Sequence, residues 1–233
     1  TVVGAGSLLT FPTLLAFGYT PLIANVSNTV GVFPGAVSGT WGYRRELSGQ
    51  IGLLRRLGAL ALAGGVAGAA LLLALPAGSF KKTVPFLIVL ACVLVALQPR
   101  LAARVARGDA KRRPRHVHPV LDVGIFLTGV YGGYFGAAQG VIMIALLGIF
   151  VDDDLQRLNA VKNVLAALIN GVAALFFIAF SHIAWLPAGL LAAGAIVGGQ
   201  LGAHIGRRLS PDLLRVLIVV VGLGVAAKLF ASW

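Results

Sequence analysis

Apolar runs recur along the chain at about 1–17, 21–43, 57–76, 84–99, 121–151, 159–180, 184–206 and 211–231. Crossing ~30 Å of hydrocarbon at 1.5 Å per residue takes about 20 residues, and most of these runs approach that length. The run 84–99 is short and is expected to extend into its polar flanks. Strands are excluded because the runs lack the in–out alternation of a barrel. Composition closes the remaining alternatives. Of 233 residues, 58% are hydrophobic and 11% charged, whereas a soluble domain carries about a quarter of its residues charged. Disorder is excluded by the opposite argument, since so much apolar surface would not stay in water. The expected fold is all-α, a polytopic transmembrane helical bundle.

The net charge of +12, from 19 basic and 7 acidic residues, is unevenly spread. Arg100, Arg104, Arg107, Lys111, Arg112, Arg113 and Arg115 share one polar stretch, and most other basic residues sit in short gaps between apolar runs. That pattern sets membrane orientation, with Lys and Arg kept on the cytoplasmic side. No basic face interleaved with aromatics accompanies it, so nucleic acid is not an expected partner, whereas membrane lipid is. Cys92 is the single cysteine and lies in an apolar run, which leaves no disulfide framework and no cysteine metal site.

The basic stretch divides the chain into a first transmembrane repeat at 1–99, a cytoplasmic linker at 100–119 and a second repeat at 120–233. Shifting one half by 133 residues lays Gly6-Ser7 on Gln139-Gly140, and a shift of 135 lays Val26-Ser27-Asn28 on Val161-Lys162-Asn163. A shift of 134 lays Gly65 and Gly68 on Gly199 and Gly202. A duplicated unit of four apolar segments is the expected organisation. On this alignment the first segment lacks about a dozen residues, and a cleaved signal peptide is the alternative.

The run 121–151 is long for one crossing and short for two. Its middle, from Gly129 to Gly140, is rich in glycine, each costing about 0.8–1 kcal/mol in a helix relative to Ala. It is read as a broken helix or a re-entrant hairpin, either of which needs protein or a watery cavity around it. Re-entry would put Arg157, Arg207 and Arg208 on the side of Arg44, Arg45, Arg55 and Arg56 and make the halves inverted copies. Positive-inside bias favours that form over parallel copies.

Several tracts together resemble the sulfite exporter TauE/SafE family of membrane permeases. They are Val3-Gly-Ala-Gly-Ser7 running into Leu-Leu-Thr-Phe-Pro12, Gly18-Tyr-Thr-Pro21, Ala24-Asn-Val-Ser-Asn-Thr29 and Gly39-Thr-Trp-Gly-Tyr-Arg-Arg45. Gly136-Ala-Ala-Gln-Gly140, Asn159-Ala-Val-Lys-Asn163 and Gly198-Gly-Gln-Leu-Gly-Ala-His-Ile-Gly206 look like a second copy. The chain departs from the family pattern at Ser7, at Ala138-Gln139 and at Ala145, which stands where the first copy has Pro12. The resemblance implies a duplicated bundle in a prokaryotic inner membrane that moves small anions, typically sulfite or organosulfonates, without a cofactor.

Candidate substrate-binding residues follow from the chemistry an anion needs. The turns at Gly4/Gly6/Ser7 and Gly136/Gln139/Gly140 could each open a half-helix whose free N–H groups and positive end face an anion, with Ser7 and Gln139 adding side-chain donors. Gly132, Gly136 and Gly140 also form a four-residue stripe, so close helix packing is the competing reading. Asn28 and Asn163 hold equivalent places inside apolar runs, where a bare amide needs a partner or a cavity. Ser27 and Thr29 are expected to bond back to their own helix. Lys162 costs roughly 2.5–3.5 kcal/mol at a helix centre, so it is either functional, paired near Asp154 or snorkelling. Gly31/Gly35/Gly39, Gly64/Gly68 and Gly198/Gly202/Gly206 are read as packing seams, Gln200 as lining or cap, and His204 as interfacial. Ser181-His182 is mere adjacency, no metal-ligand spacing occurs, and no nucleophile and base converge, so no enzyme is expected. The rival function is a non-transporting membrane scaffold.

Overall fold

The computed structural model describes residues 6–106, 118–205 and 211–231. Gly4, Gly206, Arg207, Arg208 and the basic positions from Arg107 to Arg115 lie outside the described residues, as do the side chains of Arg104, Gln200 and His204. The described residues form nine helices and no strand. They are α1 (Ser7–Ala16), α2 (Pro21–Gly42), α3 (Ile51–Ala74), α4 (Ala77–Ala106), α5 (Pro119–Tyr134), α6 (Gln139–Phe150), α7 (Leu155–Phe180), α8 (Trp185–Ile205) and α9 (Pro211–Ala231). The short run 84–99 does extend on both sides, into the 30-residue α4.

Among the described residues three helices are long and apolar enough to cross a membrane, namely Ile51–Ala74, Gly78–Arg100 and Leu155–Phe180. Shorter apolar helices are Ser7–Ala16, Gln139–Phe150 and Trp185–Gly198. The surface fits a lipid solvent. Large apolar side chains such as Leu175, Leu186, Leu190 and Val220 face outward, while Asn25, Ser27, Asn28, Thr29, Gln139 and Lys162 are buried. The chain is a membrane protein.

The glycine-rich run 121–151 folds as two helices that double back. Ring centroids of His118, just before the run, and Phe150, near its far end, are 4.6 Å apart. Leu146 packs over Gly124, where an added methyl would lie 2.9 Å from its Cδ1. α5 and α6 are therefore an antiparallel hairpin rather than one interrupted crossing. The tip needs two left-handed residues, Gly136 at φ 76° and Ala138 at φ 59°. Its carbonyls are not left bare, since Tyr131 donates its hydroxyl to Ala137 O at 2.6 Å and Asn25 Nδ2 donates to Tyr134 O at 2.9 Å. Irregular backbone within an apolar bundle persists only with such partners.

The seams are built where glycine lets backbones meet. A methyl on Gly64 or Gly68 would strike the carbonyl oxygens of Phe126 and Val130 on α5. Gly31 and Gly35 meet Leu191 and Ala195 of α8 in the same way. These stripes are packing seams, as their spacing implies. Gly198 differs, having open space where a side chain would be. The stripe of Gly132, Gly136 and Gly140 is not one helix face, because the hairpin tip falls inside it.

At one end of the bundle α3, the hairpin and the start of α7 meet. Arg56 pairs with Asp122, Arg157 with Asp153, and Arg157 Nη2 donates to Ser48 O at 2.9 Å. The beginning of α7 thus sits beside the chain that leaves α2.

Candidate functional site

Four helix starts show how this sequence distributes its backbone donors. α7 begins behind Asp154, whose carboxylate accepts from the N–H groups of Gln156 and Arg157 at 2.9 and 3.0 Å. α2 begins behind Thr20 with Pro21 in its first turn. These caps satisfy donors that a helix start leaves open. α1 and α6 have no side-chain cap, at Gly6 and Ala138 respectively. At α6 the N–H of Gln139 donates to Gly136 O and that of Val141 to Ala138 O, which leaves the N–H of Gly140 without a partner among the described residues. At α1 the N–H groups of Leu9 and Thr10 both turn to Gly6 O. Each helix presents its positive end there.

Both uncapped starts face one cavity of about 410 Å³. Seven of the eight residues expected at the site line it: Gly6, Ser7, Gly136, Gln139, Gly140, Lys162 and Asn163. The eighth, Asn28, does not. It lies behind the wall and is hydrogen-bonded by the hydroxyl of Thr10, which does line the cavity. α2 and α8 close the remaining sides with small residues, including Gly35, Gly39, Gly194 and Gly198.

Lys162 is 9% exposed. It neither snorkels nor pairs with Asp154, which is committed to capping α7. Its ammonium donates to Asn159 Oδ1 at 3.1 Å, and it makes no ion pair with any described carboxylate. A cation so enclosed, without a counterion, is a standing attraction for an anion. Asn163 spends only its backbone carbonyl, which accepts from Thr40 Oγ1 at 3.2 Å. Its side-chain amide has no hydrogen-bond partner among the described residues and lines the cavity.

Two polar lining residues were not expected from the sequence. Asn170 accepts from Gln139 Nε2 at 3.3 Å through Oδ1, which leaves its own Nδ2 as the free donor. Thr10 is the other. Each carries a helical signal, for Asn163, Ala166 and Asn170 recur at i, i+3 and i+7, and Thr10 follows Ser7 by three. Ser27 also departs from expectation. Its oxygen accepts from the N–H of Ala184 at 2.9 Å on another segment, whereas Thr29 does bond back, to Asn25 O at 3.0 Å. No group of three or more His, Cys, Asp or Glu among the described residues could hold a metal ion.

What such a site belongs to is fixed by likeness to other proteins. The family model described as Sulfite exporter TauE/SafE matches residues 1–229. The chain is 27% identical over 228 residues to a "Probable membrane transporter protein" of Haemophilus influenzae, covering 98% of this chain and 88% of that protein. It is 26% identical over 229 residues to the "Probable membrane transporter protein YfcA" of Escherichia coli strain K12, covering 98% and 83%. A "Probable membrane transporter protein ORF9" of Sinorhizobium sp is 25% identical over 235 residues, covering 100% and 87%. No solved structure matches. The chain belongs to the sulfite exporter TauE/SafE family of membrane transporters.

Proposed function

We propose that this protein is a permease that carries small anions, sulfite or a short organosulfonate among them, across a prokaryotic inner membrane. Gly6, Ser7, Gly136, Gln139, Gly140, Lys162 and Asn163 form the binding surface, and Asn28 holds Thr10 in position on it. The observation that carries the reading is Lys162, buried, without a carboxylate partner, and on the wall of a cavity that also receives two uncapped helix starts. Donors and positive partial charge converge there with no acid among the described lining residues, and an anion complements that field. The names of the relatives, each a probable membrane transporter, agree with a carrier rather than an enzyme or a scaffold.

The same reading takes 1–99 and 120–233 as inverted copies joined by a cytoplasmic linker at 100–119. Support comes from helix pairings that survive exchange of the halves. The α2–α8 contact exchanges with α3–α7, α1–α2 with α6–α7, and α4–α6 with α1–α9, while α2–α7 and α4–α9 map onto themselves. Inversion is supported by Arg157, which joins the start of α7 to Ser48, just beyond the end of α2. The end carrying Arg44, Arg45, Arg55, Arg56 and Arg157 faces the cytoplasm by positive-inside bias. Transport proceeds by rocking or gating of one copy against the other around the shared cavity.

Uptake of sulfite and of methanesulfonate into proteoliposomes tests the reading. Flux of at least one above empty vesicles is the expected result. Flux of neither contradicts it.

A further inference from the structure

We propose that the cavity contains two separate anion stations rather than one. The outer station is Lys162 with Asn163. The inner one is Asn170 and Gln139 together with the hydroxyl of Ser7 and the unpartnered N–H of Gly140 at the start of α6. The proposal rests on the anion-permease reading and deepens it.

The separation follows from where Lys162 points. Its ammonium is 3.1 Å from Asn159 Oδ1, one turn back toward the end that carries Arg157, and away from the hairpin tip. Asn170 is at mid-depth of the 26-residue α7, beside Gln139 at the tip. At 1.5 Å per residue, Lys162 and Asn159 stand about 12 and 16 Å from Asn170 along the helix axis. The ammonium is bonded to the farther of the two, Asn159. A single oxyanion head reaches groups only within a hydrogen-bond length of about 3 Å on each side. It cannot touch Lys162 as oriented here and Asn170 at once.

The two stations also differ in kind. The outer offers a full charge, which attracts an anion over a distance and loses strength with salt. The inner offers neutral donors. Gln139 is 4% exposed and donates Nε2 to Asn170 Oδ1, so Asn170 is turned with Nδ2 toward the cavity. Ser7 adds a hydroxyl, and Gly140 adds a backbone N–H at the start of α6, where no side chain caps the helix. Neutral donors hold a desolvated anion without trapping it, which a carrier requires of its deepest site. The sequence accounts for there being only one charged station, since the shift that aligns the halves sets Ser27 opposite Lys162, and Ser27 is occupied by the N–H of Ala184.

Selenate, a heavy oxyanion, makes the stations separately visible by anomalous scattering from crystals of the full chain. Two peaks about 12–16 Å apart are expected in the wild type. Lys162→Gln should erase the outer peak alone, and Asn170→Ala the inner alone. A single peak, an elongated feature joining both ends, or loss of both peaks in either variant overturns the proposal. Sulfite flux gives a second readout. Lys162→Gln should raise KM about tenfold or more and flatten its salt dependence while kcat stays within about twofold. Asn170→Ala should act mainly on kcat, and identical changes in both variants overturn the two stations. Wild type with neither peaks nor flux overturns the anion reading itself. Wild type with flux but one peak overturns only the division of the cavity.

Discussion

Asn25, in the second turn of α2, donates its side-chain amide to the carbonyl of Tyr134, the last residue of α5, across 2.9 Å. The bond joins positions 109 residues apart and ties the hairpin tip to the first half of the chain. Tyr134 O is one of the carbonyls that a helix end leaves without an intrahelical partner. Asn25→Leu removes its donor where no water can replace it. The expected cost is about 1–3 kcal/mol, read as a lower thermal unfolding midpoint in detergent. An unchanged midpoint would show that the tip is held by other means.

Ala138 opens α6 at φ 59°, in the left-handed region that costs an L-residue roughly 1–2 kcal/mol. Ala138→Gly relieves that strain and gives back part of the gain through a freer unfolded chain. Stability should rise by about 0.5–1 kcal/mol, and Ala138→Val should lower it. Paired unfolding midpoints of the two variants check the sign.

Gly68 is filled from outside by α5. A methyl there would meet the carbonyl of Val130, which is helix backbone and cannot turn away. Gly68→Ala should therefore destabilise by about 1–3 kcal/mol. Gly52→Ala, in the same helix with open space around it, should be neutral or slightly stabilising. Equal responses of the two variants would mean that the α3–α5 seam carries no close contact.

Arg56 and Asp122 pair at the basic end, with side chains 31% and 23% exposed. Solvent screens such a pair, so Asp122→Asn should cost no more than about 0.2–1 kcal/mol. Neither residue lines the cavity, and sulfite flux should stay at the wild-type level. A loss of flux without a loss of folded protein would make this pair part of the transport cycle.

The helices were legible because a membrane demands long apolar runs, and the hairpin was half legible because glycines spoil a continuous helix between Gly129 and Gly140. The direction of the chain after the break was indicated only by the positive-inside bias, which favoured re-entry; it is fixed by contacts such as His118 on Phe150, which no local periodicity encodes. The cavity wall was legible where chemistry is conspicuous, at the glycine turns and at Lys162. Asn28 and Asn163 look alike in sequence but part in the fold. Thr10 occupies the amide oxygen of Asn28, whereas the 133-residue shift that lays Gly6-Ser7 on Gln139-Gly140 sets Met143, with no hydroxyl, opposite Thr10. Asn25 and Asn170 escaped notice because their roles depend on Tyr134 and Gln139, partners far along the chain.

The central claim is that an unpaired buried cation and two helix starts without side-chain caps together receive an anion. The most direct measurement is the initial rate of sulfite counterflow into proteoliposomes holding equal amounts of folded wild type and Lys162→Met. Below saturation the wild type should exceed empty vesicles, and the variant should run about tenfold slower or worse, as expected for losing one charge-assisted contact. Equal rates for the two proteins would contradict the account.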